Sequence, residues 1–409
     1  MKYVVLLGDG MADYPIDGLS GKTPLEAAKT PNMDRVAREG TVGLIDTVPR
    51  GFPPGSDVAN LSVLGYDPKV CYSGRGPLEA ASMGVRLEPE DVAYRCNLVY
   101  LRKDNGATVM DDYSAGHITS EEARELITDL ENRLGGDGLH FYPGVSYRHL
   151  LVWRGGPEAV ETTPPHDITG RDVRNHLPTG TGSEEVMRLI EKSRAVLEGH
   201  RVNRERLSAG RKPANSIWLW GQGHSPAMEP LTEKYGLRAA MISAVDLLKG
   251  IGICAGFDIL NVPGATGYID TNYAGKAQSA LQALKDRDFV FVHVEAPDEM
   301  GHAGNVEGKI RAIEDFDEKV VGVVLAGMEE FGDFRIMVLS DHPTPISRKT
   351  HMGDPSPFAV YSSLGENLGH GESFCERAAE KSGILVTPGH RLMDGFIRDW
   401  RAFIEKESR

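Results

Sequence analysis

The stretch Val338-Leu339-Ser340-Asp341-His342-Pro343-Thr344-Pro345-Ile346-Ser347-Arg348-Lys349-Thr350-His351 decides how the chain is read. The residues before it, 334–339, predict a short apolar strand that runs straight into Asp341-His342. A second histidine, His351, follows a polar, proline-containing loop. A carboxylate and two imidazoles beyond the end of a buried strand suit a metal site on a rigid support. The same residues also make an ordinary surface turn rich in Asp, Pro and His. The choice between the two rests on what the other strand ends supply.

Residues 3–7 form a short apolar run that ends in Gly8-Asp9-Gly10, the pattern of a buried parallel strand. Ligands gather at the carboxyl ends of strands in open α/β sheets, so Asp9 falls where chemistry usually sits. A capping turn aspartate is the plainer alternative. Residues 289–294 are again strongly apolar and feed Glu295-Ala296-Pro297-Asp298-Glu299-Met300-Gly301-His302. Asp298 and His302 are four apart, on one face of a helical turn, and can share one ion. In Gly51-Phe52-Pro53-Pro54-Gly55-Ser56-Asp57-Val58, the Gly-Ser-Asp step opens a helix-like segment. A hydroxyl there sits at a positive helix end among backbone N–H groups, which suits a nucleophile that accepts a phosphoryl group. Serine is also among the best N-caps, and most such serines only cap. Ser73-Gly74-Arg75-Gly76-Pro77 reads as a tight loop carrying an anion-binding arginine.

From about Met83 the pattern changes. Strands at 94–101, 108–110, 139–142 and 147–153, with a helix at 120–134, predict a small α+β unit inserted into a larger domain. The expected division is 84–177 for the insertion, with 1–83 and 178–409 as the core. The insertion carries His117, Arg148, His166-Asp167 and Arg171, each able to hold an anion or to serve structure. One long helix is expected at 183–208. Then βα alternation resumes, with strands at 217–220 and 238–242, a helix at 243–254 that holds Lys249, and helices at 272–285 and 308–328. Gly250, Gly252 and Gly256 lack the spacing and placement of a dinucleotide fingerprint.

The 409 residues are enough for two or three domains, and 40% hydrophobic with 25% charged residues is ordinary globular composition. The net charge of −14 argues against nucleic acid or anionic membrane as partner. An anionic substrate remains compatible, since local arginines and ions reverse the field in a cleft. Cys71, Cys96, Cys254 and Cys375 are scattered and form no CxxC pair. The apolar run at 3–7 is too short for a signal peptide or a membrane span, which reads as a cytoplasmic protein.

Collected, Asp9, Ser56, Asp298, His302, Asp341, His342 and His351 supply three aspartates, three histidines and a serine, the inventory of a two-metal phosphoryl-transfer site. Mixed carboxylate and imidazole donors suit Mn²⁺ or Zn²⁺ better than an ion that takes oxygen alone.

With these pieces in place the chain resembles the cofactor-independent phosphoglycerate mutases, in particular their archaeal-type branch, within the alkaline phosphatase superfamily. The resemblance spans essentially the whole chain. It is carried by Leu7-Gly8-Asp9-Gly10-Met11-Ala12-Asp13, Pro54-Gly55-Ser56-Asp57-Val58-Ala59-Asn60, Ala296-Pro297-Asp298-Glu299-Met300-Gly301-His302, and Ser340-Asp341-His342 with His351. It implies an alkaline-phosphatase-like α/β core, with a mostly parallel sheet flanked by helices, plus a smaller inserted substrate-binding domain. It implies that Ser56 becomes phosphoserine, that Asp9, Ser56, Asp341 and His342 hold one ion, and that Asp298, His302 and His351 hold the other. Two divalent ions are expected, Mn²⁺ first, with Zn²⁺, Co²⁺ or Mg²⁺ as alternatives, and no 2,3-bisphosphoglycerate. Substrate contacts are expected from His117, from an Arg-Asp motif for which Arg171 competes with Arg148 and Asp167, and from Lys249. The implied reaction interconverts 3-phosphoglycerate and 2-phosphoglycerate in glycolysis and gluconeogenesis. Rival activities on the same scaffold are another phosphomutase, a phosphomonoesterase or a homoserine-kinase-like enzyme. The last is disfavoured because no GxxxxGK[ST] loop is present. Monomer and homo-oligomer both remain open.

Overall fold

The computed structural model describes residues 1–369 and 371–408. The chain parts into two compact units, one of Met1–Tyr72 with Ala227–Arg409 and one of Ser73–Pro226.

The first unit is built on an eight-stranded sheet. In spatial order its strands are Asp258–Ile259, Ala239–Ile242, Phe289–Val294, Lys2–Gly8, Phe334–Leu339, Ser356–Ser362, Thr41–Ile45 and Leu385–Val386. Neighbours pair parallel except where Ser356–Ser362 runs antiparallel to both of its partners. The expected mostly parallel sheet flanked by helices is therefore present. The three central strands, Phe289–Val294, Lys2–Gly8 and Phe334–Leu339, are buried nearly throughout, as strands covered on both faces must be. Their apolar side chains join those of helices such as Pro31–Glu39, Tyr273–Leu284 and Val306–Phe316 in one core. Register places Gly8 beside Val294 and Leu7 beside Leu339. The residues that follow these strands, Asp9, Glu295 and Ser340-Asp341, therefore emerge side by side on neighbouring strand ends.

The second unit is an antiparallel sheet around the long strand Asp91–Asp104, which pairs with Ala107–Asp112, Arg148–Arg154 and Ser216–Gly223; Leu139–Val145 adds to the edge of Arg148–Arg154. Helices Ser120–Leu134 and Ser183–Leu197 bury Leu126, Ile127, Leu130, Val186, Leu189 and Ile190 against it. The observed boundaries correct the expected ones. The strand at 217–220 belongs to this unit and not to the core, because Val99 pairs with Ser216 and Leu98 with Ile217. The helices between 183 and 208 pack on the same sheet. They are two and not one: the first ends at Leu197, and His200 caps the next, Arg201–Ser208, by accepting the Val202 N–H. Ser73–Pro77 is also not purely a loop, since Arg75 begins the helix Arg75–Ser82.

The insertion begins and ends at one place. Within the second unit, Ser73 Oγ donates to His224 O at 2.6 Å. Within the first, Cys71 Sγ lies 3.2 Å from Ala227 O. The outgoing and returning segments thus run side by side.

Candidate metal centre

Asp9 leaves the first strand fully buried. Gly10 follows with φ +59°, and a Cβ there would lie 2.6 Å from both Asp298 Oδ1 and Thr344 Oγ1. Only glycine permits that turn at that approach. Its N–H donates to Asp341 Oδ1 at 3.1 Å, which ties the first strand's loop to the loop after Leu339. Asp341 Oδ1 also accepts the His342 N–H at 2.9 Å, and its Oδ2 accepts Asn60 Nδ2 at 2.8 Å. Asn60 donates as well to Ser56 O at 2.9 Å, so one amide fixes the aspartate to the turn that presents the serine.

Ser56 is the first residue of helix Ser56–Val63, and the capping position belongs to extended Gly55. The hydroxyl is therefore not a cap. It points to His342 Nε2 at 3.2 Å. The same Nε2 lies 3.4 Å from Asp9 Oδ1 and 3.5 Å from Asp341 Oδ2. Asp9, Ser56, Asp341 and His342 are thus brought together, and donor atoms of Asp9, Asp341 and His342 lie within 4.8 Å of one another.

The second group stands on helix Ala296–Ala303, which begins at the end of Phe289–Val294. His302 Nε2 lies 3.2 Å from Asp298 Oδ2 and 2.9 Å from His351 Nε2. His351 Nε2 lies 3.5 Å from Asp298 Oδ1. Asp298, His342 and His351 also converge, and the His342 and His351 rings stand 4.4 Å apart. All seven core residues singled out in the sequence therefore meet in one place. His302 Nδ1 faces Lys349 O at 3.0 Å, which leaves Nε2 as the atom turned to Asp298. Thr344 Oγ1 donates to Asp298 Oδ1 at 2.5 Å.

The electrostatics fit bound cations. Burial, then Asp341, Glu295 and Asp298, hold the Asp9 carboxyl well above its usual range. Burial and Asp298 push Glu295 up to about 8. Burial opposes ionisation of Asp298, but the hydrogen bonds from His302 and His351 outweigh it and hold that carboxyl well below the ordinary value. The Asp298 hydrogen bond raises His302 to about 9. Among the described residues, fully buried Asp9 Oδ1 has no hydrogen-bond partner. So many carboxylates can stay ionised together only beside compensating positive charge. The carboxylate and imidazole donors are the set a divalent ion takes.

Sequence reasoning missed several neighbours. His293, fully buried, places Nε2 2.8 Å from Asp9 Oδ2. Glu295, Asn60 and Thr344 belong to the same surroundings. Buried Lys276 donates to His293 O at 2.7 Å, and burial lowers it to about 8. The signal for His293 is a lone polar residue in an otherwise apolar strand.

The expected substrate residues are placed less tightly. Lys249 lies in the first unit, on helix Asp246–Cys254, and pairs with Asp246 at 3.3 Å. His117, Arg148, Asp167 and Arg171 are exposed in the second unit. His117 sits in a turn at φ +48°. Asp172 pairs with Arg174, so the Arg171-Asp172 step is not a linked pair. The unit does gather cations on aromatic rings. The Arg95 guanidinium stands 4.3 Å and that of Arg75 6.0 Å from the Trp220 ring. His166 packs edge-on to Trp220, and the Arg148 guanidinium stands 5.8 Å from the Tyr147 ring. Of these arginines, the sequence marks only Arg75 and Arg148 as anion-binding.

Comparison with known proteins bears on the whole chain. Residues 37–203 match the family described as 2,3-bisphosphoglycerate-independent phosphoglycerate mutase. The 2,3-bisphosphoglycerate-independent phosphoglycerate mutase of Methanosarcina barkeri is 56% identical over 400 residues, covering 97% of this chain and 100% of its own. That of Methanosarcina acetivorans is 56% identical over 401 residues, again covering 97% and 100%. A solved structure from Pyrococcus horikoshii superposes with a TM-score of 0.81 at 32% identity, covering 97% of this chain and 96% of that one.

Proposed function

Since the chain belongs to the 2,3-bisphosphoglycerate-independent phosphoglycerate mutase family, isomerases that interconvert 3-phosphoglycerate and 2-phosphoglycerate, we propose that Ser56 carries the phosphoryl group between the two positions. The observation that carries this reading is the Ser56 hydroxyl. It sits on the first turn of a helix, free of capping duty, and 3.2 Å from His342 Nε2.

In the first half-reaction Ser56 Oγ attacks phosphorus and the bond to the substrate's O3 breaks. Glycerate stays bound, and its O2 then attacks the phosphoserine and frees Ser56. The proton lost from Ser56 Oγ ends on O3 in the first half-reaction and the proton lost from O2 returns to Ser56 Oγ in the second, so atoms and charge balance. The first-turn N–H groups and the dipole of Ser56–Val63 favour the negative charge that gathers there. Asn60 keeps the serine turn and Asp341 in fixed relation, so attack needs no rearrangement of the site.

Asp9, Ser56, Asp341 and His342 are read as holding one divalent ion and Asp298, His302 and His351 the other, with Mn²⁺ the first choice. When bound, the ions lower the serine pKa and neutralise phosphate charge. The 73–226 unit is read as the part that grips glycerate, with Arg148 and the Arg75–Arg95–Trp220 cluster as its anion-binding face and His117, Asp167 and Arg171 as further candidates. The reading places the protein in the cytoplasm. Among the described residues no helix is long and apolar enough to cross a membrane.

Quenching the Mn²⁺-loaded protein during turnover and mapping phosphate by mass spectrometry tests the proposal. Phosphate on Ser56, and no phosphoenzyme in Ser56→Ala, is the expected result. Phosphate mapped to another residue removes Ser56 from the mechanism.

A further inference from the structure

Consecutive residues of the second unit stand in the left-handed region: Ala115 at φ +50°, Gly116 at φ +66° and His117 at φ +48°. Residues other than glycine are disfavoured there, and runs of them are rarer than single ones. Such a turn persists only where its surroundings over-determine it, and such places cluster at sites of function. What this turn displays is the His117 imidazole, which is exposed and bonds to no described residue.

One buried side chain holds the turn. Arg206, on helix Arg201–Ser208, is 1% exposed. Its Nη2 donates to Ala115 O at 2.6 Å and to Gly116 O at 3.4 Å. Its Nη1 donates to Glu122 Oε2 at 2.6 Å and its Nε to Lys212 O at 2.9 Å. Glu122 lies in the first turn of helix Ser120–Leu134, where it forms a capping box with Thr119. The guanidinium thus ties the turn to two helices. Ser114 fixes the entry, since its hydroxyl donates to Asp112 Oδ1 at 2.6 Å and accepts the His117 N–H at 3.1 Å. The Ala115 side chain is anchored in the apolar core. Stability alone does not account for Arg206, because apolar residues of similar volume stabilise an interior as well as a buried ion pair does.

We propose that Arg206 is a positioning residue of the mutase: it holds the left-handed Ala115–Gly116–His117 turn and so presents the His117 imidazole to an oxygen of bound glycerate.

The proposal rests on the reading that the 73–226 unit grips glycerate. Among the candidates for that grip, Arg148, Asp167 and Arg171 have no left-handed backbone, so none is displayed by a conformation that the fold must hold in place. A short side chain on a braced turn has little freedom left to lose on binding, which suits a group that must keep glycerate oriented between two half-reactions.

A double-mutant cycle on the full-length, Mn²⁺-loaded protein with 3-phosphoglycerate tests this. Arg206→Lys keeps the charge and gives up the planar fork that reaches the turn. It and His117→Ala should each lower kcat/KM by about 10- to 100-fold, the cost of misplacing a group by about 1 Å. The double variant should be no slower than the slower single, because without the imidazole the turn has nothing to present. An arginine with a merely structural role would not couple to an exposed side chain. Losses that multiply, or an Arg206→Lys variant with the parent's kcat/KM, overturn the role of Arg206 and leave the grip reading standing. A His117→Ala variant with the parent's kcat/KM overturns both that role and the place of His117 in the grip. If Arg206→Lys shows no cooperative urea transition, Gly116→Ala replaces it. A Cβ there, on left-handed backbone, would meet Lys212 Cβ at 3.2 Å and disturb the turn with Arg206 intact. The same loss and the same lack of additivity with His117→Ala are then expected, and multiplying losses overturn the proposal.

Discussion

Gly10 carries more constraint than any side chain near it. Its φ of +59° excludes most residues, and a Cβ would press on Asp298 Oδ1 and Thr344 Oγ1 at 2.6 Å. Gly10→Ala is therefore expected to cost about 1–3 kcal/mol of stability, read by urea unfolding, from backbone strain and the forced shift. It should also weaken Mn²⁺ binding, because Asp298 is one of the two side chains that must move. His351→Ala acts differently. It should release one equivalent of Mn²⁺ and lower turnover by at least about 100-fold, the upper range for second-shell changes around a metal. The unfolding midpoint of metal-free protein should stay near the parent's. A variant that keeps every ion and normal turnover would remove His351 from the site. A third residue gives a pH test away from the ions. Burial raises Glu376 to about 7, above an unfolded value near 4.5. The folded state then binds more protons between about 4.5 and 7, so stability is present below that window and is lost as pH rises through it. Glu376→Gln should flatten the fall in melting temperature between pH 5 and about 7.5; an unchanged slope would mean another group titrates.

At the scale of elements the site is a meeting of loops, and one lysine holds them. Lys309, on helix Val306–Phe316, is fully buried and donates to Asp13 Oδ2 at 2.8 Å, Thr344 O at 2.9 Å and Ala12 O at 3.2 Å. It therefore ties the loop after the first strand to the loop that carries His342. Lys309→Met leaves Asp13 buried and uncompensated, which should cost about 3–5 kcal/mol. Adding Asp13→Asn should restore part of that loss, so the double variant falls short of the sum of the singles. Strict additivity in urea unfolding would show that the pair is not coupled. The loops themselves are legible in the sequence. Apolar runs ending in Asp9, in Glu295 to His302 and in Asp341-His342 mark buried strands with chemistry at their ends, because a strand covered on both faces has nowhere else to put polar groups. Strand pairing is not legible in the same way. Ser216–Gly223 looks locally like the return of βα alternation, yet it bonds to Asp91–Asp104, and nothing in a strand's own sequence states its partner. His293 escapes for a related reason, since one histidine in an apolar strand reads equally as a satisfied core residue.

For the molecule as a whole, the second unit is continuous in sequence while the first is interrupted. Residues 73–226 own a core that includes Tyr94, Leu98, Leu126, Leu151, Leu189 and Ile217. That segment expressed alone should unfold in a single cooperative urea transition, as a domain with its own core does. If the unit grips glycerate as proposed, 3-phosphoglycerate should shift its arginine side-chain resonances in NMR, and Arg148→Ala should reduce the shifts. A folded segment whose spectrum ignores the ligand would take substrate binding away from it.

The adjacency of the two crossing segments bears on descent. Ser73 meets His224, and Cys71 meets Ala227, so the 73–226 unit starts and stops at neighbouring points. A segment joined in this way can be acquired, lost or exchanged by one genetic event without rethreading the sheet that bears Asp9, Asp298 and Asp341. Selection can then change what is bound while leaving inherited phosphoryl chemistry alone, and lineages sharing the one part need not share the other.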